Sequence, residues 1–227
     1  MTTPHEIISV NIGKPISIKK MSKEIKTGIF KFQINAPVYL GKLNFNGDGQ
    51  ADLVHHGGVE KAVCVYSYEH YPYWERELSC EIVYGAFGEN LTVKGMLEKD
   101  VCIGDIYKLG EAVVQVSQPR QPCYKLAKRY NMADLPVRFQ NTGYTGFYFR
   151  VLKEGWVPEH PSIELIQRHL KGVTIEFANK IMHHAKENIE GIHQILEVDE
   201  LSSNWRQTFT NRLKGKEVDP RTRLDGR

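Results

Sequence analysis

The sequence predicts a mostly β domain followed by a small bundle of helices. Residues 5 to about 155 contain short apolar and β-branched runs separated by glycine-containing turns, which is the pattern of β-strands. After the segment GWVPEHP this alternation stops, and apolar residues recur every three or four positions as in helices. We therefore expect a β domain at residues 1–157, a helical domain at 158–215 and a polar, frayed tail at 216–227.

The strands of the β domain are expected to be short. Period-two alternation is clearest in EIISVNIG, where odd and even positions would face opposite sides of a sheet. We expect strands in EIISVNIG, TGIFKFQI, APVYL, KAVCVY, ENLTV, VCIGDIYKL, AVVQVS and TGFYFRVL.

Two helices are expected to interrupt these strands. In SYEHYPYWEREL the aromatic residues recur at helical spacing, and we expect them to pack against the sheet rather than to bind a ligand. The second helix should run from Pro122 to about Asn141, with a break at Pro136 and an end at Gly143.

The last third of the chain contains four segments with helical periodicity, namely SIELIQRHL, TIEFANKIMHHAKE, NIEGIHQILEV and SSNWRQTFTNRL. Serine and threonine are favoured at the residue that caps a helix N-terminus, because their side-chain oxygens accept a bond from an unpaired backbone N–H. Ser162, Thr174 and either Ser202 or Ser203 are the expected caps.

The composition excludes several classes of protein. Thirty basic and 27 acidic residues give a net charge of +3, which is too small and too dispersed to predict binding to a nucleic acid polymer. The apolar runs are much shorter than the roughly 20 residues that span a bilayer, and the sequence starts without the pattern of a secretory signal. We therefore expect a cytoplasmic protein that does not bind a membrane.

The four cysteines are widely spaced, with no CxxC pair and no histidines at zinc-finger spacing. They are expected to be reduced thiols, as is usual in the cytosol. Cys64 and Cys102 lie in apolar, strand-like runs, where burial would suppress reactivity. We expect Cys123 to be accessible in a positive pocket and Cys64, Cys80 and Cys102 to be unreactive by comparison, although Cys80 lies at the edge of a loop.

The stretch SQPRQPC places Cys123 between a predicted strand and a predicted helix. Pro122 suits the first helical position, which would put Cys123 in the first turn, where the helix dipole favours a negative group. The cations Arg120, Lys125 and Lys128 could add to this effect and lower the pKa of the thiol. The local chemistry leaves two interpretations open: a nucleophile or metal ligand, or a small apolar residue in a buried corner.

Three further stretches could bind a ligand. The glycines of GDGQADLVHHGG permit close approach by a ligand, but their order matches no phosphate-binding motif, and at most one of His55 and His56 can easily face a given site. In GAFGENL, Glu89 and Asn90 could contact a polar ligand or could serve only the turn. In KTGIFK, two lysines, a hydroxyl and a flexible backbone could hold phosphate.

Taken together, HHGG, GAFGENLTV, the GD of VCIGDIY, QVSQPRQPCYKL and NTGYTGFYFRVL occur in an order that resembles the MOSC family. This domain is named after the C-terminal part of molybdenum-cofactor sulfurases. The resemblance is greatest to the stand-alone bacterial YiiM-like branch, and it covers nearly the whole chain. It implies a β-barrel of the pyruvate-kinase-barrel type, followed by a small 3-alpha helical domain.

The resemblance also implies a site for the molybdenum cofactor (molybdopterin). In the family, a cysteine at the position of Cys123 is the expected molybdenum ligand. Arg120 would lie near the pterin phosphate or the oxo groups of the metal. The HHGG and GAFGENL loops would frame the pocket with His56 and Asn90, and Thr27 and Lys31 would hold the phosphate.

The function implied is reduction of N-hydroxylated compounds such as 6-N-hydroxylaminopurine, with Cys123 and His56 as the catalytic residues. The proton donor could be His56 or an ordered water. The sequence has no flavin, nicotinamide or iron–sulfur motif, so electrons are expected from a separate reductase, a flavoprotein. Two alternatives remain: a persulfide or cofactor carrier acting through Cys123, and a binding module with an inert cysteine.

Overall fold

The computed structural model describes residues 5–20, 23–51, 57–217 and 219–226. The strands within these ranges are β1 (Glu6–Ile12), β2 (Ile16–Lys20), β3 (Lys23–Thr27), β4 (Phe32–Gln33), β5 (Val38–Leu40), β6 (Val63–Ser67), β7 (Leu91–Lys94), β8 (Ile106–Leu109), β9 (Ala112–Pro119), β10 (Phe147–Lys153), β11 (Gly155–Val157) and β12 (Ile163–Gln167). The α-helices are α1 (Tyr71–Leu78), α2 (Tyr124–Tyr130), α3 (Leu135–Thr142), α4 (Ile175–His183), α5 (Ile189–Leu196), α6 (Ser203–Leu213) and α7 (Arg221–Asp225).

Eight strands form one mixed sheet in the order β12-β8-β9-β10-β6-β7-β1-β4. The pair β6 and β7 is parallel, and the other neighbouring strands in this sheet are antiparallel. Two small sheets, β11-β5 and β2-β3, accompany it. The predicted fold class, a mostly β barrel-like domain with a helical region at the C-terminal end, is confirmed; among the described residues, the main sheet is a half-barrel with β12 and β4 at its edges.

One segment that was predicted as a helix is a strand. Ile163–Gln167 forms β12, which pairs with β8, so the prediction of a helix capped by Ser162 is wrong. Its apolar residues are compatible with either period, and pairing with the edge of the sheet decides between them. Ile163 is buried and Leu165 is half-buried, as the period of a strand requires. The division between residues 157 and 158 stays a prediction about domains, although the sheet takes one strand from beyond it.

Other boundaries also differ from the expected ones. TGIFKFQI is not a single strand, because β3 ends at Thr27 and β4 begins at Phe32. The break in the second predicted helix lies before Pro136, which occupies the first turn of α3, where proline loses no hydrogen bond. The predicted end at Gly143, in the left-handed conformation, is confirmed.

The N-terminal caps of two C-terminal helices are confirmed. Thr174 Oγ1 accepts a bond from the backbone N–H of Phe177, at 3.1 Å. The side chain of Ser202 accepts a bond from the backbone N–H of Trp205 and so caps α6. The tail was expected to be frayed, but α7 forms within it and contacts α2. No helix in the described ranges is both long and apolar enough to cross a membrane.

The described residues form two hydrophobic clusters. The larger one continues from the sheet into α4, α5 and α6, and it includes the fully buried Phe209. The smaller one surrounds α1, where Trp74 stacks on Phe139 of α3 with 3.9 Å between ring centroids. Burial of Tyr71 and Trp74 confirms that aromatics of α1 pack in a core. This second cluster supports the corner between β9 and α2, where the candidate site lies.

Candidate functional site

Cys123 lies where the chain leaves the sheet and enters α2. Strand β9 ends at Pro119, the backbone N–H of Arg120 still bonds to the carbonyl of Gly146 at 3.0 Å, and α2 begins at Tyr124. Cys123 is therefore the N-cap residue rather than a residue of the first turn, and it has an extended backbone. Its carbonyl accepts the first bond of the helix, from the N–H of Leu126 at 3.0 Å.

A cavity of about 80 Å³, partly open to solvent, lies at this corner. Its wall contains five of the six predicted site residues, which come from distant parts of the chain: Thr27, Lys31, Asn90, Arg120 and Cys123. The sixth, His56, lies outside the described residues. The fold therefore brings the cysteine, the predicted phosphate-binding residues and the arginine to one place.

Arg120 is a buried polar residue of the cavity that has an unused hydrogen-bond donor. The residue is 7% exposed, and its Nη2 donates to the carbonyl of Phe87 at 2.6 Å. Its Nη1 is buried and has no hydrogen-bond partner among the described residues. Buried polar groups are nearly always paired, because leaving one unpaired costs about 1–3 kcal/mol or more for a charged group. An anionic ligand in the cavity would supply the missing acceptor.

Lys31 and Asn90 are both bonded to a carboxylate that the sequence did not indicate. Lys31 Nζ pairs with Asp48 Oδ1, and Asn90 Nδ2 donates to Asp48 Oδ2 at 2.9 Å. Asn90 also links strands, because its Nδ2 bonds to the carbonyl of Asn11 and its Oδ1 accepts from the N–H of Cys64. The amide of Asn90 thus already has protein partners, and Asp48 reduces the net positive charge near Lys31.

The GAFGENL loop is held by the buried carboxylate of Glu89. This carboxylate accepts bonds from the N–H of Gly85 at 3.0 Å and of Phe87 at 2.9 Å, and from the hydroxyl of Tyr71. These contacts agree with the interpretation that Glu89 stabilises the turn. Glu89 also has an indirect role in the site, because it fixes Phe87, whose carbonyl accepts the bond from Arg120.

A close backbone contact forms the side of the cavity that carries Thr27. The hydroxyl oxygen of Thr27 accepts a bond from the N–H of Ile29 at 3.2 Å, which turns the chain after β3. A Cβ atom at Gly28 would lie 2.7 Å from the carbonyl oxygen of Gly49, so a side chain there would push the two segments apart. Both glycines line the cavity.

Two cysteines line the cavity, and neither is freely accessible. Cys123 is 9% exposed and Cys64 is 6% exposed. Burial raises the pKa of the Cys64 thiol to about 11. Burial likewise raises the pKa of the Cys123 thiol, even though the N–H of Lys125 and the positive charges of Arg120, Lys125 and Arg223 favour the thiolate. The expectations of a lowered pKa and of an accessible Cys123 are therefore wrong, because loss of hydration on burial outweighs the helix terminus and the cations.

The cysteines are expected to differ in their rates of alkylation. The expected order, with Cys80 less reactive than Cys123, is reversed: at pH 8 a neutral reagent should modify Cys80 first, because Cys80 is exposed and the other three cysteines are buried. A pKa of about 11 leaves roughly one part in a thousand of Cys64 as thiolate at that pH. The rates at Cys64 and Cys123 should increase as the pH is raised further. Peptide mass spectrometry would measure the four rates, and modification of Cys123 as fast as Cys80 at pH 8 would contradict the buried arrangement.

Sequence reasoning missed Tyr148, which also lines the cavity. Tyr148 lies opposite Cys64 in the pairing of β10 with β6 and is 7% exposed. Burial raises the pKa of its hydroxyl, which keeps it neutral and able to donate a hydrogen bond at any physiological pH. The alternation of TGFYFRVL contained the signal, since Phe147 and Phe149 lie in the core and Tyr148 must face the other way.

The residues of the cavity fit a cofactor that combines a thiolate-binding metal with anionic groups. Cys123 offers a soft sulfur ligand, and metal binding would itself favour the thiolate despite burial. The unpaired Nη1 of Arg120 offers a donor to an anion. Gly28 and Gly49 let two segments of the chain meet closely at the wall of the same cavity.

Comparison with known proteins finds matches to two domain patterns and to related proteins along most of the chain. The MOSC domain pattern matches residues 52–164, and the YiiM-like, 3-alpha helix domain matches residues 173–215. The YflK protein of Bacillus subtilis is 52% identical over 205 residues, which cover 90% of this chain and 93% of YflK.

Two further relatives extend this comparison. YiiM of Escherichia coli is 39% identical over 88% of this chain and 91% of its own length, and its crystal structure matches with a TM-score of 0.81, 34% identity and coverage of 98% of both chains. A Gibberella moniliformis protein named as a reductase is 40% identical over 73% of this chain. That region makes up 30% of the fungal protein.

Proposed function

Because this chain belongs to the MOSC domain family, in the branch with a YiiM-like 3-alpha helix domain, we propose that it is a molybdenum-cofactor-dependent reductase of N-hydroxylated compounds such as 6-N-hydroxylaminopurine. The similarity to a named reductase supports an oxidoreductase. The observation that carries the proposal is the buried Nη1 of Arg120, which has no partner among the described residues and lies in the same cavity as Cys123.

The chain's own residues would hold the cofactor and the substrate. Cys123 would bind the metal through its sulfur, and Arg120 would pair with an anionic group of the cofactor. When bound, the molybdenum cofactor supplies the two electrons for reduction of an N–OH group to N–H with loss of water. Thr27 and Lys31 would contact the phosphate, and the Lys31 ammonium would then share its charge between that phosphate and Asp48.

Two protons must reach the substrate for each N–OH group that is reduced, because the products are an N–H group and water. Tyr148 would donate a hydrogen bond to the substrate oxygen, since its hydroxyl stays neutral in the cavity. The protons themselves would come from His56 or from water that enters through the open side of the cavity. Electrons would come from a separate flavoprotein reductase.

Purified protein tests this proposal directly. We expect about one molybdenum and one pterin per chain by metal and pterin analysis, together with turnover of an N-hydroxylated base when an artificial electron donor is added. A Cys80→Ser variant is a suitable control because Cys80 is exposed and lies outside the cavity. Cyanide-labile sulfur without molybdenum would favour the carrier instead. Absence of both from protein supplied with the cofactor would favour a binding module with an inert cysteine.

A further inference from the structure

We infer that α7 and the residue after it form a clamp that fixes the position of Cys123, with Arg223 as a positioning residue. Two contacts carry this inference, one on each chain neighbour of Cys123. Its consequence for turnover rests on the function proposed above, whereas its consequence for the local stability of the corner does not.

The first contact is made by the side chain of Arg223. Its Nη1 donates to the carbonyl of Pro122, the residue before Cys123, and its Nη2 donates to Oε1 of Gln140 at 3.0 Å. The planar guanidinium therefore joins the corner to α3 through two directed bonds, which a lysine could not do with the same geometry. Pro122 is buried, so its carbonyl requires a partner from the protein or from water.

The second contact is made by the backbone of Gly226. This glycine ends α7 in the left-handed conformation, with φ of 74°. A Cβ atom there would lie 3.1–3.2 Å from three ring atoms of Tyr124, the residue after Cys123. The glycine backbone therefore lies close to the Tyr124 ring, and α7 with its cap contacts the corner on both sides of the cysteine.

The corner needs such support because its own structure is short. Helix α2 has seven residues, and isolated helices of that length are not stable in water. A displacement of a catalytic group by about 1 Å can cost about 100-fold in rate, so holding the sulfur in place has a direct effect on catalysis. The clamp therefore connects α7, which lies in the tail that was expected to be frayed, with the corner that holds Cys123.

Three variants of the full chain test the clamp. Arg223→Gln removes the paired donors, and Arg223→Lys keeps a charge and one possible bond to Pro122. Arg221→Gln is the matched control, because Arg221 lies on the same short helix, is exposed and pairs with the nearby Asp219. Amide hydrogen exchange would be measured for the peptide that spans residues 119–130, and kcat and KM would be measured with the artificial donor.

In Arg223→Gln, the amides of the corner should exchange about tenfold faster, as expected for loss of a bond to a charged group. We expect kcat to fall while KM changes less than twofold, with partial recovery in Arg223→Lys and wild-type behaviour in Arg221→Gln. Unchanged exchange and unchanged kcat in Arg223→Gln would overturn the clamp. If the wild type has no turnover, the proposed function fails while the exchange rates still decide this inference. If Arg223→Gln does not fold, Gln140→Ala removes the other anchor of the same guanidinium and should give the same result in weaker form.

Discussion

The Cys123→Ser variant is expected to lose at least about 100-fold in turnover of an N-hydroxylated base, because the sulfur ligand of the metal is gone. A serine alkoxide is a harder ligand than a thiolate and is far less available near neutral pH. The fold should be kept, since Cys123 is the N-cap residue of α2 and serine is among the residues preferred there. Each variant would be reconstituted with excess cofactor before bound molybdenum, the melting temperature and turnover are measured.

Cys64→Ser is the matched control for this experiment. Its thiol lines the same cavity and is also buried, but it belongs to strand β6 and has no predicted bond to the metal. We expect this variant to bind molybdenum and to retain most of its turnover. If Cys123→Ser has full molybdenum occupancy and turns over like the wild type, Cys123 is not the essential ligand. Equal loss in both variants would mean that the cavity tolerates no change in volume, and the role assigned to Cys123 would have no support from this experiment.

The secondary structure was predictable where local chemistry decides it. Thr174 and Ser202 cap helices through bonds to residues three positions further along the chain, which the sequence displays directly. The helix predicted for SIELIQRHL is wrong because Ile163 and Leu165 suit the period of a helix as well as that of a strand. Only pairing with the neighbouring strand β8 selects the strand. Helix α7 could not be predicted either, since its support comes from contacts with Pro122 and Tyr124, about 100 residues away in the chain.

The site was predictable as a set of residues but not as an electrostatic environment. Motif order indicated Cys123 and Arg120, and the fold places both at one cavity. Asp48 was missed because its role depends on Lys31 and Asn90, which join it only in the folded chain. The pKa of Cys123 was predicted in the wrong direction for a similar reason. Charges near a residue can be read from its neighbours in sequence, whereas burial is a property of the whole fold.

Arg120→Ala is expected to differ from Cys123→Ser, because it should weaken retention of the cofactor while leaving residual turnover. The variant removes a guanidinium whose Nη1 has no partner in the described part of the chain and would pair with an anionic group of the cofactor. A hydrogen bond to a charged group contributes roughly 1.5–3 kcal/mol, so the Kd of the cofactor should rise by about 10- to 100-fold. Titration of each apoprotein with cofactor would measure the Kd, and turnover would be measured at saturation.

The same variant also loses the bond from Nη2 to the carbonyl of Phe87, so a structural effect must be separated from loss of binding. Arg120→Lys is the control, because lysine keeps the charge but cannot hold the carbonyl and an anion with the same planar fork. We expect its Kd to lie between those of the wild type and Arg120→Ala, and both variants to regain turnover as the cofactor concentration rises. Wild-type affinity in a folded Arg120→Ala variant would show that the free guanidinium nitrogen does not bind the cofactor, and complete loss of turnover at saturating cofactor would instead place Arg120 in the chemical step.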